Sequence, residues 1–199
     1  CLQGTPTTPA SALAIGQVLL RGTAEQQERG QQLLLELAIN NPDDPAALKA
    51  AALLSEPLRP DPALLDALPP ALQQRSADVA AARVRLDVAS NGGLEKGGSA
   101  KALSVLKRWP SNPAAWQLQW DLAREALLND QWKTAEALLN AIPSSDLPEP
   151  LAARQQFWLG LTLAKQDQTA QAQNIWEQLI KAHPRSYYTW RAEVRLGRG

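Results

Sequence analysis

Catalysis needs side chains that trade protons, attack or hold a metal, and this chain offers few of them. Its single histidine, His183, closes a helical run just before Pro184. The role expected there is electrostatic, on the free carbonyls at a helix end. The single cysteine, Cys1, has no second cysteine for a disulfide and no second histidine for a zinc site. No G-x-S-x-G, H-E-x-x-H or G-x-x-x-x-G-K-[ST] tract occurs. Gly92-Gly93 and Gly97-Gly98 flank a turn without a Lys-Ser/Thr pair, and are read as linker glycines. Glu125, Glu136, Glu177 and Glu193 fall off the apolar stripes, where a solvated face keeps a carboxyl ordinary. No catalytic residue, metal site or cofactor is therefore expected. What remains is aromatic: Trp116, Trp120, Trp132, Trp158 and Trp176 are expected on core faces, as packing rather than sugar-stacking rings. Trp190 lies in a last, uncovered segment.

The elements that must position these groups are clearest between Leu151 and Trp190. Ala172, Ile175, Trp176, Leu179 and Ile180 recur at i, i+3, i+4, i+7 and i+8, the apolar stripe of an α-helix. Pro184 ends it, because a residue before proline is pushed out of the α region. A preceding helix, about Leu151 to Ala164, is apolar almost all round from Phe157 to Leu163, which predicts that neighbours sandwich it. Gly160 at its centre costs roughly 1 kcal/mol against alanine. Such a cost is reasonable where another helix must come close.

Upstream, Thr8 and Pro9 predict an N-cap and first-turn proline for a helix running to Leu20 and stopping at Gly22. Thr23 caps a second helix with Gln26 as capping-box partner, and Leu33, Leu34, Leu37 and Ala38 form its stripe before Asn40-Asn41-Pro42. Pro42, Pro110 and Pro184 each close a helix, and six residues after each stands a bulky apolar residue: Leu48, Trp116 and Trp190. Pro42 and Pro110 are 68 residues apart, two units of 34. The chain thus tiles as 11–44, 45–78, 79–112, 113–149, 153–186 and a half unit 187–199, behind a tail at 1–8. In the second unit Pro57, Pro60, Pro62, Pro69 and Pro70 should break the second helix. In the third, Asn91 to Gly98 makes a long polar turn. In the fourth, Asn112 caps, Pro113 opens, and Trp116, Trp120, Ala123 and Leu127 step along one face. Trp132, Ala135, Leu138, Leu139 and Ile142 mark the partner helix.

The 34-residue spacing resembles the tetratricopeptide pattern. With Ala153 as first position, Leu159-Gly160, Ala172, Trp176 and Pro184 occupy its landmarks, while Gln156 stands where its early Trp belongs. The expected fold is all-α: one right-handed, tetratricopeptide-like solenoid of antiparallel helix pairs, each burying its apolar face on the next. Formal charge is balanced, 20 basic against 20 acidic residues without a basic run, which argues against nucleic acid. No apolar run reaches the ~18 residues of a membrane span. Cys1 with the polar stretch after it reads in two ways: a truncated helix end stopped by Gly4, or the lipidated first residue of a bacterial lipoprotein.

The terminal tract carries the most distinctive signature. Pro184, Ser186, Tyr187, Tyr188, Ala192, Leu196 and Gly197 resemble the P-x-S-Y-Y and A-x-x-x-L-G segment that closes the helical superhelix of bacterial soluble lytic murein transglycosylases. The resemblance implies a periplasmic or cell-envelope protein with a downstream catalytic domain as partner. That domain would cleave the β-1,4 link between N-acetylmuramic acid and N-acetylglucosamine. The family's catalytic Glu is followed by Ser, and no Glu here is. This stretch would then be a non-catalytic scaffold that positions peptidoglycan. The alternative is a free-standing scaffold that holds a partner protein's peptide. Tyr187 and Tyr188 have two readings: one packs on Trp176 while the other seats the next domain, or Tyr187, Tyr188, Trp190 and Arg191 form a saccharide-binding group.

Overall fold

The computed structural model describes residues 8–55, 61–90, 93–94 and 97–198. The readings placed on Cys1, Gly4, Pro57, Pro60 and the Asn91-Gly92 and Glu95-Lys96 parts of the polar turn lie outside these residues. The fold is all-α, a succession of helix pairs, with no strand among the described residues. It divides into two compact units, 1–90 and 91–199.

The first unit holds α1 (Pro9–Leu19), α2 (Ala24–Asn40), α3 (Pro45–Leu54), α4 (Pro62–Ala67), α5 (Pro70–Arg75) and α6 (Ala77–Ser90). Its helix starts follow from side chains that satisfy free backbone N–H groups. Thr8 and Ser11 exchange a capping box at α1, and Thr23 and Gln26 do so at α2. Asp44 and Asp61 accept from Ala46 N at 2.7 Å and Ala63 N at 2.8 Å. The expected proline-broken helix is two short helices of six residues each, α4 and α5. Arg83 on α6 holds them together, donating to Leu65 O and Gln73 Oε1, each at 3.0 Å, and pairing with Asp66. The core is leucine and alanine: Leu34, Leu37 and Ala38 of α2 meet Ala47, Ala50, Ala51 and Leu54 of α3, with Leu65, Leu68 and Leu72 beneath. At Gly16 a Cβ would lie 2.6 Å from Leu34, so α1 and α2 approach closely there.

The second unit holds α7 (Gly98–Arg108), α8 (Pro113–Leu128), α9 (Trp132–Leu139), α10 (Glu149–Ala164), α11 (Thr169–Ala182) and α12 (Tyr187–Arg195). A single 3-10 turn (Ser144–Asp146) lies between α9 and α10. Each helix packs on the next, and α10 also meets α12. Asn112 caps α8 as expected, accepting from Ala114 N at 2.8 Å. The α8–α9 and α10–α11 turns are copies of each other. Asp130 and Asp167 sit in the left-handed region at φ 55° and 60°. The next residue's N–H then returns to the preceding helix, Gln131 to Ala126 O at 2.9 Å and Gln168 to Leu163 O at 3.0 Å. At the chain end Gly197 (φ 73°) makes a Schellman stop for α12, with Arg198 N donating to Glu193 O and Gly197 N to Val194 O.

The close approach expected at Gly160 is met by an indole. A Cβ there would fall 2.4 Å from Trp176 Nε1. That same Nε1 donates to Phe157 O at 3.2 Å. Trp176 is the one tryptophan fully in the core, 5 % exposed. Trp116, Trp120, Trp132 and Trp158 are only half-buried, against expectation. On α8 the core positions are Ala115, Leu118, Leu122 and Ala126 instead. Nor is α10 enclosed on all sides: Leu151, Arg154, Trp158 and Leu161 form a half-open stripe. The apolar run marks residues able to be buried, but α9, α11 and α12 cover only part of the helix circumference.

Candidate functional site

The half-open stripe of α10 is the middle of a continuous run of rings across α8, α10 and α12. Trp120 meets Trp158 at 6.1 Å between centroids, and Trp158 meets Phe157 edge-on at 5.7 Å. Phe157 meets Tyr188 at 5.7 Å, Tyr188 meets Tyr187 at 5.4 Å, and Tyr187 meets Trp190 at 5.9 Å. These separations suit offset or edge-to-face ring pairs. Phe157 is fully buried and anchors the run, whereas Tyr187 and Trp190 at its end are 59 % and 56 % exposed.

Two arginines lie on this run. The Arg154 guanidinium sits 4.0 Å from the Trp120 ring centre, and that of Arg191 sits 5.2 Å from Phe157 and 5.7 Å from Tyr187. Arg191 also donates to Tyr187 Oη at 2.9 Å, which fixes both side chains on consecutive turns of α12. Burial pushes the Arg154 pKa below the usual guanidinium value, with Tyr188 and Asp121 acting the other way. Asp121 itself accepts from Gln117 at 2.8 Å.

Beside Trp120 and Arg154 a shallow cleft is lined by Trp116, Gln119, Leu151 and Gln155. Its floor is built by two buried glutamines that periodicity alone does not mark as core. Gln119 donates to Leu138 O at 3.0 Å and Leu139 O at 3.2 Å. Gln155 donates to Leu139 O and to Ile142 O, the latter at 2.7 Å. Together they satisfy the carbonyls left free where α9 stops. The available signal was their position, each in register with the apolar residues of its helix. Trp116 is tied at the rim, its Nε1 donating to Pro110 O at 2.7 Å.

All four binding candidates fall on α12, which Ser186 caps by accepting from Tyr188 N at 3.2 Å. Tyr188 packs on Phe157, with ring centres 5.7 Å apart, while the Trp176 indole lies against Gly160. His183 also differs from expectation. Its backbone N–H donates to Leu179 O, but its ring faces the Glu149 carboxylate, with Nδ1 3.7 Å from Oε1. Of the four glutamates expected on solvated faces, Glu136 accepts from Gln166 at 2.8 Å and Glu177 pairs with Arg198, while none lines the cleft.

Among the described residues no cluster of three or more His, Cys, Asp or Glu could hold a metal ion, and no helix is long and apolar enough to cross a membrane. What the arrangement offers is flat aromatic surface, backed by guanidinium groups, spread over three helices. Such a surface suits an extended ligand with apolar faces and polar edges. No family model, curated protein or solved structure matches the chain.

Proposed function

We propose that this chain is a non-catalytic helical scaffold of a peptidoglycan lytic transglycosylase, acting in the periplasm or cell envelope and holding a glycan strand for a catalytic domain of the same protein. The observation that carries the reading is the ring run from Trp120 to Trp190 with its two arginines. Sugar rings present flat C–H faces that stack on indole and phenol, and hydroxyl and amide edges that accept from guanidinium N–H groups. A chain of sugars needs several such platforms in series, and α8, α10 and α12 carry them. The terminal tract from Pro184 to Gly197, through its likeness to the transglycosylase superhelix, names which glycan.

Co-sedimentation with purified murein sacculi tests the reading. The protein should pellet with sacculi and release no anhydro-muropeptides. Recovery in the supernatant would overturn glycan binding, and release of anhydro products would overturn the non-catalytic role. The alternative reading, a scaffold for a partner's extended peptide, uses the same half-open face. Retention by immobilised peptides with none by sacculi would favour it.

A further inference from the structure

Arg154 and Arg191 hold their charge differently from Arg75, Arg83 and Arg198. Arg75, Arg83 and Arg198 each meet a carboxylate, Asp43 at 3.3 Å, Asp66 at 3.0 Å and Glu177 respectively. Among the described residues no carboxylate lies within ion-pair distance of Arg154 or Arg191. Both instead rest on aromatic rings, Arg154 on Trp120 and Arg191 on Phe157 and Tyr187. A ring occupies the flat face of a guanidinium and leaves the N–H edge free to donate. For Arg191 one of those donors is used on Tyr187. For Arg154 none is used among the described residues.

Holding a cation half out of water without a counter-charge is costly, and the downward push that burial gives Arg154 is the sign of that cost. Asp121 contributes a field from a distance, but Gln117 holds its carboxylate. A planar fork of free N–H donors, oriented by a ring and partly desolvated, matches a carboxylate better than any neutral acceptor. The shallow cleft lined by Trp116, Trp120 and Leu151 lies beside the fork, which leaves the mouth of that cleft as the point of approach.

We propose that Arg154, seconded by Arg191 on α12, reads carboxylate groups on the bound strand, so that this face selects an acidic glycan over a neutral one of the same backbone. The inference rests on the glycan reading above and adds the charge of the ligand to it. Stacking supplies affinity for any such backbone, and Arg154 supplies the discrimination.

The test uses the full chain in calorimetric titrations at low salt with two probes. One is murein glycan strands freed of peptide, which carry the lactyl carboxylate of muramic acid. The other is the same strands with those carboxylates converted to amides. The acidic strands should bind about tenfold more tightly, and added salt should erode the difference. Arg154→Gln should abolish the preference, lowering acidic-strand affinity about tenfold more than it lowers affinity for the amidated strands. Arg191→Gln should lower the preference by a smaller factor, and serves as the second variant should Arg154→Gln disturb the Trp120 contact. Equal binding of both strands, or an undiminished preference in Arg154→Gln with its helix content intact, would overturn the inference while leaving the glycan reading in place. Binding of neither strand would overturn the glycan reading and this inference with it.

Discussion

The two units are built from the same helix pairs but from different side chains. The chain has seven Trp, two Tyr and one Phe, and every one of them lies after residue 90. The first unit packs with aliphatic side chains, mostly alanine and leucine with Val79, Val84 and Val88 of α6. Ala47, Ala50 and Ala51 of α3 are wholly buried, which lets helices come close and leaves little relief on the surface. In the second unit Trp116 and Trp120 stand 68 residues after Leu48 and Ala52, and their neighbours cover them only in part. The difference teaches that the repeat specifies a backbone, while side-chain volume decides whether a face closes on itself or stays open for a ligand.

The comparison breaks most readily at Trp176. Trp176→Ala should cost about 3–5 kcal/mol in urea melts, the loss expected for a buried aromatic. A cost under about 1 kcal/mol would show that the second unit does not depend on its aromatic core. Next come the two close-approach glycines. Gly160→Ala drives a Cβ into a rigid indole at 2.4 Å, and should destabilise by about 2–3 kcal/mol. Gly16→Ala meets a leucine, whose side chain can change rotamer, and should cost about 1 kcal/mol once the helix-propensity gain is counted. Equal losses at both sites would erase the contrast between the cores.

Surface residues sharpen the contrast by affinity. Trp190→Ala should lower retention on sacculi by about tenfold, and change stability by no more than about 0.5 kcal/mol. Val18→Ala, an equally exposed site in the first unit at 58 %, should change neither. The smallest effects are in pH dependence and have opposite signs. Burial raises the Asp78 pKa in the first unit, so its folded form holds a proton more readily than the unfolded chain. Its penalty is absent below the unfolded value of 3.8 and complete once pH passes the raised folded value. Asp78→Asn should therefore gain a few tenths of a kcal/mol at pH 7, after allowance for solvent screening. In the second unit the Arg198 guanidinium lowers the Glu177 pKa, so that contribution is present above the unfolded value and lost as pH falls through the folded one. Glu177→Gln should lower stability slightly at pH 7 and leave it unchanged in acid, which flattens the pH dependence between the two.

Much of this backbone could be read from residue types. Thr8, Thr23 and Asn112 cap because a short polar side chain before a helical run has one favourable use. Clustered prolines broke the helix that became α4 and α5 for an equally local reason. The Gly160 contact was legible as an unexplained cost. The open rings were not, because periodicity shows which face can be buried and not how many neighbours arrive to bury it. The left-handed turns at Asp130 and Asp167 and the buried Gln119 and Gln155 were also missed. Gln155 is paired with carbonyls 13 and 16 residues away, beyond any helical window. Of the four residues singled out on α12, Arg191 lies over Phe157, a contact between helices that no spacing along the chain marks.

The two glutamines also bear on how the second unit assembles. The last carbonyls of α9 are completed by a side chain from the helix before it and another from the helix after it. A segment of eight residues is too short to hold itself in water, so α9 has no finished form until both neighbours have docked. Its amides should therefore exchange with solvent only in openings that also release α8 or α10, as one cooperative block rather than as a fraying helix.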